Sequence, residues 1–79
     1  MTIPLATVMD MVHQIFPGKY ASITYTFDAY PQIDGSYNTE MYWEVYVSDE
    51  IKFKKFDSLL EVAEHLKTIY NGRRLESAL

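Results

Sequence analysis

The chain reads as an α+β fold in the order α-β-β-β-α, with two helices packed on one face of a three-stranded antiparallel meander. Three observations predict it. Apolar residues recur at steps of three and four near both ends, strict alternation fills the middle, and Pro, Gly, Asn and Asp gather where the pattern changes.

A first helix is expected over residues 3–16, because Leu5, Val8, Met9, Val12, Ile15 and Phe16 line one face of about four turns. Thr2 stands where an N-cap would, Pro4 is tolerated in a first turn, and Pro17-Gly18 ends the pattern. A strand follows over 20–30. In it Ala21, Ile23, Tyr25, Phe27 and Ala29 alternate with Ser22, Thr24, Thr26 and Asp28, between Tyr20 and Tyr30. Turn residues from Pro31 to Asn38 lead to a second strand over 39–48, T-E-M-Y-W-E-V-Y-V-S. This is the most aromatic and β-branched stretch of the chain, and it belongs at the centre of the sheet with Met41, Trp43, Val45 and Val47 inward.

Directly opposed residues share a face, so the first hairpin requires an odd-length loop or a bulge. Centring it on Gly35 pairs Phe27 with Trp43, Tyr25 with Val45 and Thr26 with Glu44. Centring it on Asp34 sets Asp28 against Glu40, a like-charge contact, and the Gly35 centre is therefore expected. Ser48-Asp49-Glu50 is the second reversal. Pairing Val47 with Ile51 across it puts Val45 against Phe53 inside and Glu44 against Lys54 outside, in a strand over 51–55 that ends or bulges at Lys55.

The second helix is expected over 58–71, opened by a Ser58/Glu61 capping box and buried through Leu59, Val62, Ala63, Leu66, Ile69 and Tyr70. Asn71-Gly72 reads as its C-cap and Arg73-Arg74 suit the negative helix end, leaving 73–79 as a tail. With no repeat or linker, residues 1–79 are expected to form a single domain.

Composition narrows the function classes. There is no cysteine, which removes disulfides, thiolate metal sites and thiol catalysis. Seven Lys/Arg against eleven Asp/Glu give a net charge of −4, which disfavours sequence-independent binding to nucleic acid or anionic lipid. No apolar run approaches the roughly 20 residues of a membrane span, and Met1-Thr2-Ile3-Pro4 lacks a basic signal start. A cytoplasmic protein is the expectation.

Catalytic chemistry finds little footing. His13 has Asp10 three residues before it and His65 has Glu61 four before it, spacings that suit a His/carboxylate metal or hydrolase site if the helices lie side by side. The same spacings are those of ordinary surface pairs. Three isolated glycines supply neither a phosphate loop nor a dinucleotide fingerprint, and no serine stands in a nucleophile context. We expect no catalytic residues, no cofactor and no bound metal.

The outward sheet face is the candidate interaction surface, displaying Thr24, Thr26, Tyr42, Glu44, Tyr46, Lys52 and Lys54. Tyrosine in a polar field offers large contact area at small entropic cost, so a protein partner or a homodimer is expected there. The alternative is a nucleic-acid site built on Lys52, Lys54, Lys55, Arg73 and Arg74.

The element order resembles that of the double-stranded RNA-binding domain. That family places lysines at the start of its second helix to hold phosphates, whereas the matching segment here reads D-S-L-L-E-V-A-E-H-L. The resemblance is one of topology alone. In style the chain, with its F-K-K-F-D-S-L-L-E-V-A-E-H-L segment, resembles short reading frames of phages and prophages of Gram-positive bacteria, which implies a phage-related origin.

Overall fold

The computed structural model describes residues 2–78 of the chain, and side chains within 2–74. Helix α1 spans Leu5–Ile15, strands β1, β2 and β3 span Ala21–Pro31, Tyr37–Val47 and Ile51–Phe56, and helix α2 spans Leu59–Ala78. The sheet is antiparallel in the order β1-β2-β3, so the fold is the expected α+β arrangement with β2 at its centre.

One core joins both helices to one side of the sheet. Val8, Val12, Ile15 and Phe16 of α1 and its end meet Val62 and Leu66 of α2 over Val45, Val47, Ile51 and Phe56, with Ile23 and Trp43 packed at the margin. Leu66, Val12 and Val47 are fully buried, each contributing roughly 1.5–3 kcal/mol. The helices run side by side. Thr2, Ile3 and residues 57–60 lie together near Trp43, while farther along the pair Arg73 of α2 donates to the Ile15 carbonyl at 2.6 Å. Arg73 also pairs with Glu50 at 3.2 Å and lies over the Phe16 ring, tying α2 to α1 and to the β2–β3 turn.

These contacts explain why α2 does not stop at Asn71. The Asn71-Gly72 signal is overridden and the helix runs on to Ala78, so residues 73–78 of the expected tail are helical and Leu79 lies outside the described residues. Glycine inside a helix costs about 1 kcal/mol against alanine, and the three contacts of Arg73 offset it. At the other end of α2 Ser58 caps the helix as expected, its Oγ accepting from the Glu61 N–H at 3.2 Å. The return bond is shifted by one residue: Glu61 Oε2 accepts from the Asp57 N–H at 2.9 Å, not from Ser58. For α1 the cap differs. Pro4 takes the N-cap position with no side-chain cap, and its carbonyl receives the Thr7 and Val8 N–H groups.

The first hairpin has the odd-length loop that parity requires, but it is centred on Asp34, not Gly35. Tyr25 opposes Trp43, Phe27 opposes Met41, Thr26 opposes Tyr42 and Asp28 opposes Glu40. The loop backbone decides this. Gln32 closes it by donating to Ser36 and accepting from Gly35, and Gly35 occupies the left-handed position at φ 88°. A three-residue hairpin loop ends on such a residue, and a Gly35 centre would hand that position to Ser36 at a cost of roughly 1–2 kcal/mol. Asp34 reinforces the turn by accepting from the Ser36 N–H and Oγ–H, which hold its carboxyl below the usual range.

The second reversal pairs Val47 with Ile51 as expected, and the ladder then slips. Phe53 adopts φ 48° at a bulge, so Val45 opposes Lys54 and Glu44 opposes Lys55, rather than Phe53 and Lys54. The bulge comes two residues earlier than the sequence suggested. Its effect is to turn Phe56 into the core and Lys55 out of it. Burying Phe56 is worth roughly 1.5–3 kcal/mol, while one bulky residue at positive φ costs about 1–3 kcal/mol. Keeping an ammonium out of the core tips the balance.

Gly72 is helical and a Cβ there would meet nothing within 4 Å. Gly72→Ala is expected to raise the unfolding free energy by about 0.5–1 kcal/mol in urea titration. A C-cap glycine would give the opposite sign.

Candidate interaction surfaces

Thr24, Thr26, Tyr42, Glu44 and Tyr46 occupy even positions in the β1–β2 ladder and therefore share the sheet face away from the helices. Tyr42 reaches Asp28 with a hydroxyl hydrogen bond of 3.1 Å, and Tyr30 donates to the same oxygen at 3.3 Å. Lys55 lies over the Tyr42 ring at 4.3 Å. This network makes the Asp28–Glu40 opposition tolerable, because two donors and a cation surround the paired carboxylates.

The electrostatics follow the geometry. Desolvation and then the Asp28 hydrogen bond raise the Tyr42 pKa, whereas for Tyr30 the Asp28 charge is the leading cause. The Tyr42 oxygen and then Glu40 hold Lys55 in its charged form to higher pH than usual. Near the β2–β3 end of the face, Tyr46 packs between Tyr20 and Phe53, with ring centroids at 6.2 and 4.7 Å.

The bulge redistributes the lysines expected on this surface. Lys55 joins it, and Lys54 instead sits opposite buried Val45 at the helix-side edge, with its ammonium 5.9 Å from the Phe56 ring. Lys52 is exposed. The five cations of the nucleic-acid alternative therefore do not form one patch: Lys54 and Lys55 point to opposite sides, Arg73 is engaged with Glu50 and Ile15, and Arg74 lies 6.0 Å over Tyr70.

The two histidines stay apart from their proposed carboxylates. His13 is exposed in the last turn of α1, and Glu61 turns back to the Asp57 N–H instead of toward His65. His65 packs against Phe56 at 5.4 Å between ring centroids. Desolvation, and secondarily Lys54, lower its pKa. Among the described residues no group of three His, Cys, Asp or Glu side chains gathers as a metal site would require, and no helix is long and apolar enough to cross a membrane.

The surface that the sequence assigns to the core lies on the helix side of the sheet. Helices α1 and α2 are about 16 and 30 Å long. Both begin level with Trp43 and run toward the β2–β3 turn, whereas β1 and β2, with 11 residues each, run about 37 Å, much of it the other way. The helices cover only the root of the hairpin. Beyond Trp43 and Tyr25, whose rings stack at 4.8 Å, the ribbon projects as an arm. On the helix side of that arm Tyr25 is 53% exposed, Phe27 60% and Met41 57%. No charged residue occupies an odd position of either strand. At the foot of this stripe a cleft of about 320 Å³ opens between Ile3, Trp43, Leu59 and Leu60. Alternation could not reveal the stripe, since it marks the correct face and says nothing of how far the cover extends. Only the mismatch between a short first helix and two long strands carried that signal.

No protein-family model, curated protein or solved structure matches this chain.

Because the folded state favours neutral His65, its contribution to stability is fully present above the ordinary imidazole range. It is lost as pH falls through that range toward the depressed folded value. Melting temperature is expected to drop between about pH 7 and pH 5, and to drop less in His65→Gln. Equal drops in the two proteins would remove His65 as the cause.

Proposed function

We propose that this chain is a non-catalytic interaction module, cytoplasmic and of phage-related origin, that binds protein through the uncharged stripe of its projecting hairpin. The observation that carries this reading is the exposure of Tyr25, Phe27 and Met41 in one row on a ribbon that no helix covers. A row of large apolar side chains without interleaved charge is the composition of an interface centre. A ribbon of two strands is also only marginally stable by itself in water. Contact therefore stabilises the arm as well as the complex.

The open face that the sequence singled out is the second surface. The exposed rings of Tyr20 and Phe53 flanking Tyr46 favour it, whereas its Tyr42–Asp28–Tyr30 network is already satisfied within the chain. The nucleic-acid reading has weaker support, because the lysines on which it rests are divided between two sides of the sheet.

Immobilised chain is expected to retain a protein, either from an extract of the organism that encodes it or as a labelled copy of itself. The double substitution Phe27→Glu/Met41→Glu is expected to abolish that retention, and Tyr46→Lys to leave it. Retention that survives the double substitution would exclude the stripe as the contact.

A further inference from the structure

The surface area of the chain leaves room for a stable contact. It exposes 5885 Å², against about 4,900 Å² for a compact monomer of its mass. Its radius of gyration is 15.7 Å, where a compact chain of this length would have about 12 Å. The excess, roughly 1,000 Å², is comparable to the about 800 Å² that each partner buries in a stable complex.

We infer that a second copy of this chain covers it, the two arms lying antiparallel, stripe against stripe, about a two-fold axis with each tip over the other copy's cleft. The inference rests on the stripe being the binding surface and adds the identity of the partner. A two-fold contact sets a patch against itself, so any charge near the axis meets its own image. The helix-side stripe meets that condition, with no charge at its odd positions. The open face does not, because Asp28, Glu40, Glu44 and Lys55 lie together there and each would face a like charge near such an axis.

Shape agrees with charge. Ala29 and Thr39 oppose each other about midway along the arm, where small side chains allow two ribbons to approach. Ile33 at the tip is fully exposed, and the cleft at the arm's root is lined by Ile3, Trp43, Leu59 and Leu60, with Thr2, Asp57 and Ser58 completing its wall. One end of the stripe thus offers an apolar side chain and the other a recess with four large apolar residues in its wall, an arrangement that antiparallel copies satisfy twice.

Sedimentation velocity on the full chain tests this, together with emission of its single tryptophan, Trp43, followed on dilution. A dimer is expected at micromolar concentration, with Trp43 emission shifting to the red as it dissociates. Phe27→Glu and, independently, Thr39→Glu should each weaken association at least tenfold while circular dichroism stays unchanged, and Ile33→Asp should weaken it to a smaller degree. Tyr46→Lys should leave it intact. If Phe27→Glu fails to fold, the exposed Thr39 position gives the same discrimination. A wild-type monomer at about 100 µM, or a dimer indifferent to both substitutions, overturns the inference. A monomer that nonetheless retains a different protein in a Phe27-dependent manner overturns it while leaving the stripe as the binding surface. A dimer lost only in Tyr46→Lys overturns both.

Discussion

Val45 and Val47, sealed under both helices, fix the side toward which the other residues of the central strand point. Side chains in a strand alternate without exception unless a bulge intervenes, so two buried valines two residues apart commit the strand to one orientation. The β1 ladder inherits that orientation through its register. The third strand would have inherited a conflict, with Lys55 aimed at the core, and the bulge at Phe53 resolves it. The satisfied polar face and the bare apolar stripe are thus two sides of one decision made at the root of the hairpin.

Much of this was legible in the residues. Element order, the central position of β2, the odd-length first loop, the Val47–Ile51 closure and the Ser58/Glu61 cap all follow from local pattern, and the structure contains them. What was not legible depended on comparing energies between levels. The Asp28–Glu40 repulsion is a visible pairwise term, yet the left-handed requirement at Gly35 outweighs it, and Tyr42, Tyr30 and Lys55 relieve it from positions that only the fold reveals. Gly72 looked like a helix end because its neighbours in sequence say so, while Arg73 answers to Ile15 and Glu50, distant in the chain.

The candidate site divides in the same way. Five of the seven residues expected on the open face are placed there by the strand period, and Lys54 is displaced from it by a bulge that period alone cannot locate. The stripe was hidden for a different reason. Tyr25, Phe27 and Met41 look like core residues, and they do face the side on which the core lies. Their exposure comes from where the helices begin, level with Trp43, a property of several elements together and of no single residue.

Arg73 carries a consequence for the far end of the helix pair. Its planar guanidinium simultaneously meets a carbonyl, a carboxylate and the ring of Phe16, a set of partners that a lysine ammonium, with its compact charge, would not reproduce. One side chain thus joins the end of α1, the last third of α2 and the β2–β3 turn, at the end of the helix pair opposite the recess beside Trp43. A lysine at position 73 would leave that junction with fewer of its three partners, and would loosen the helix pair where, among the described residues, no core residue of α2 lies beyond Ile69 to hold it.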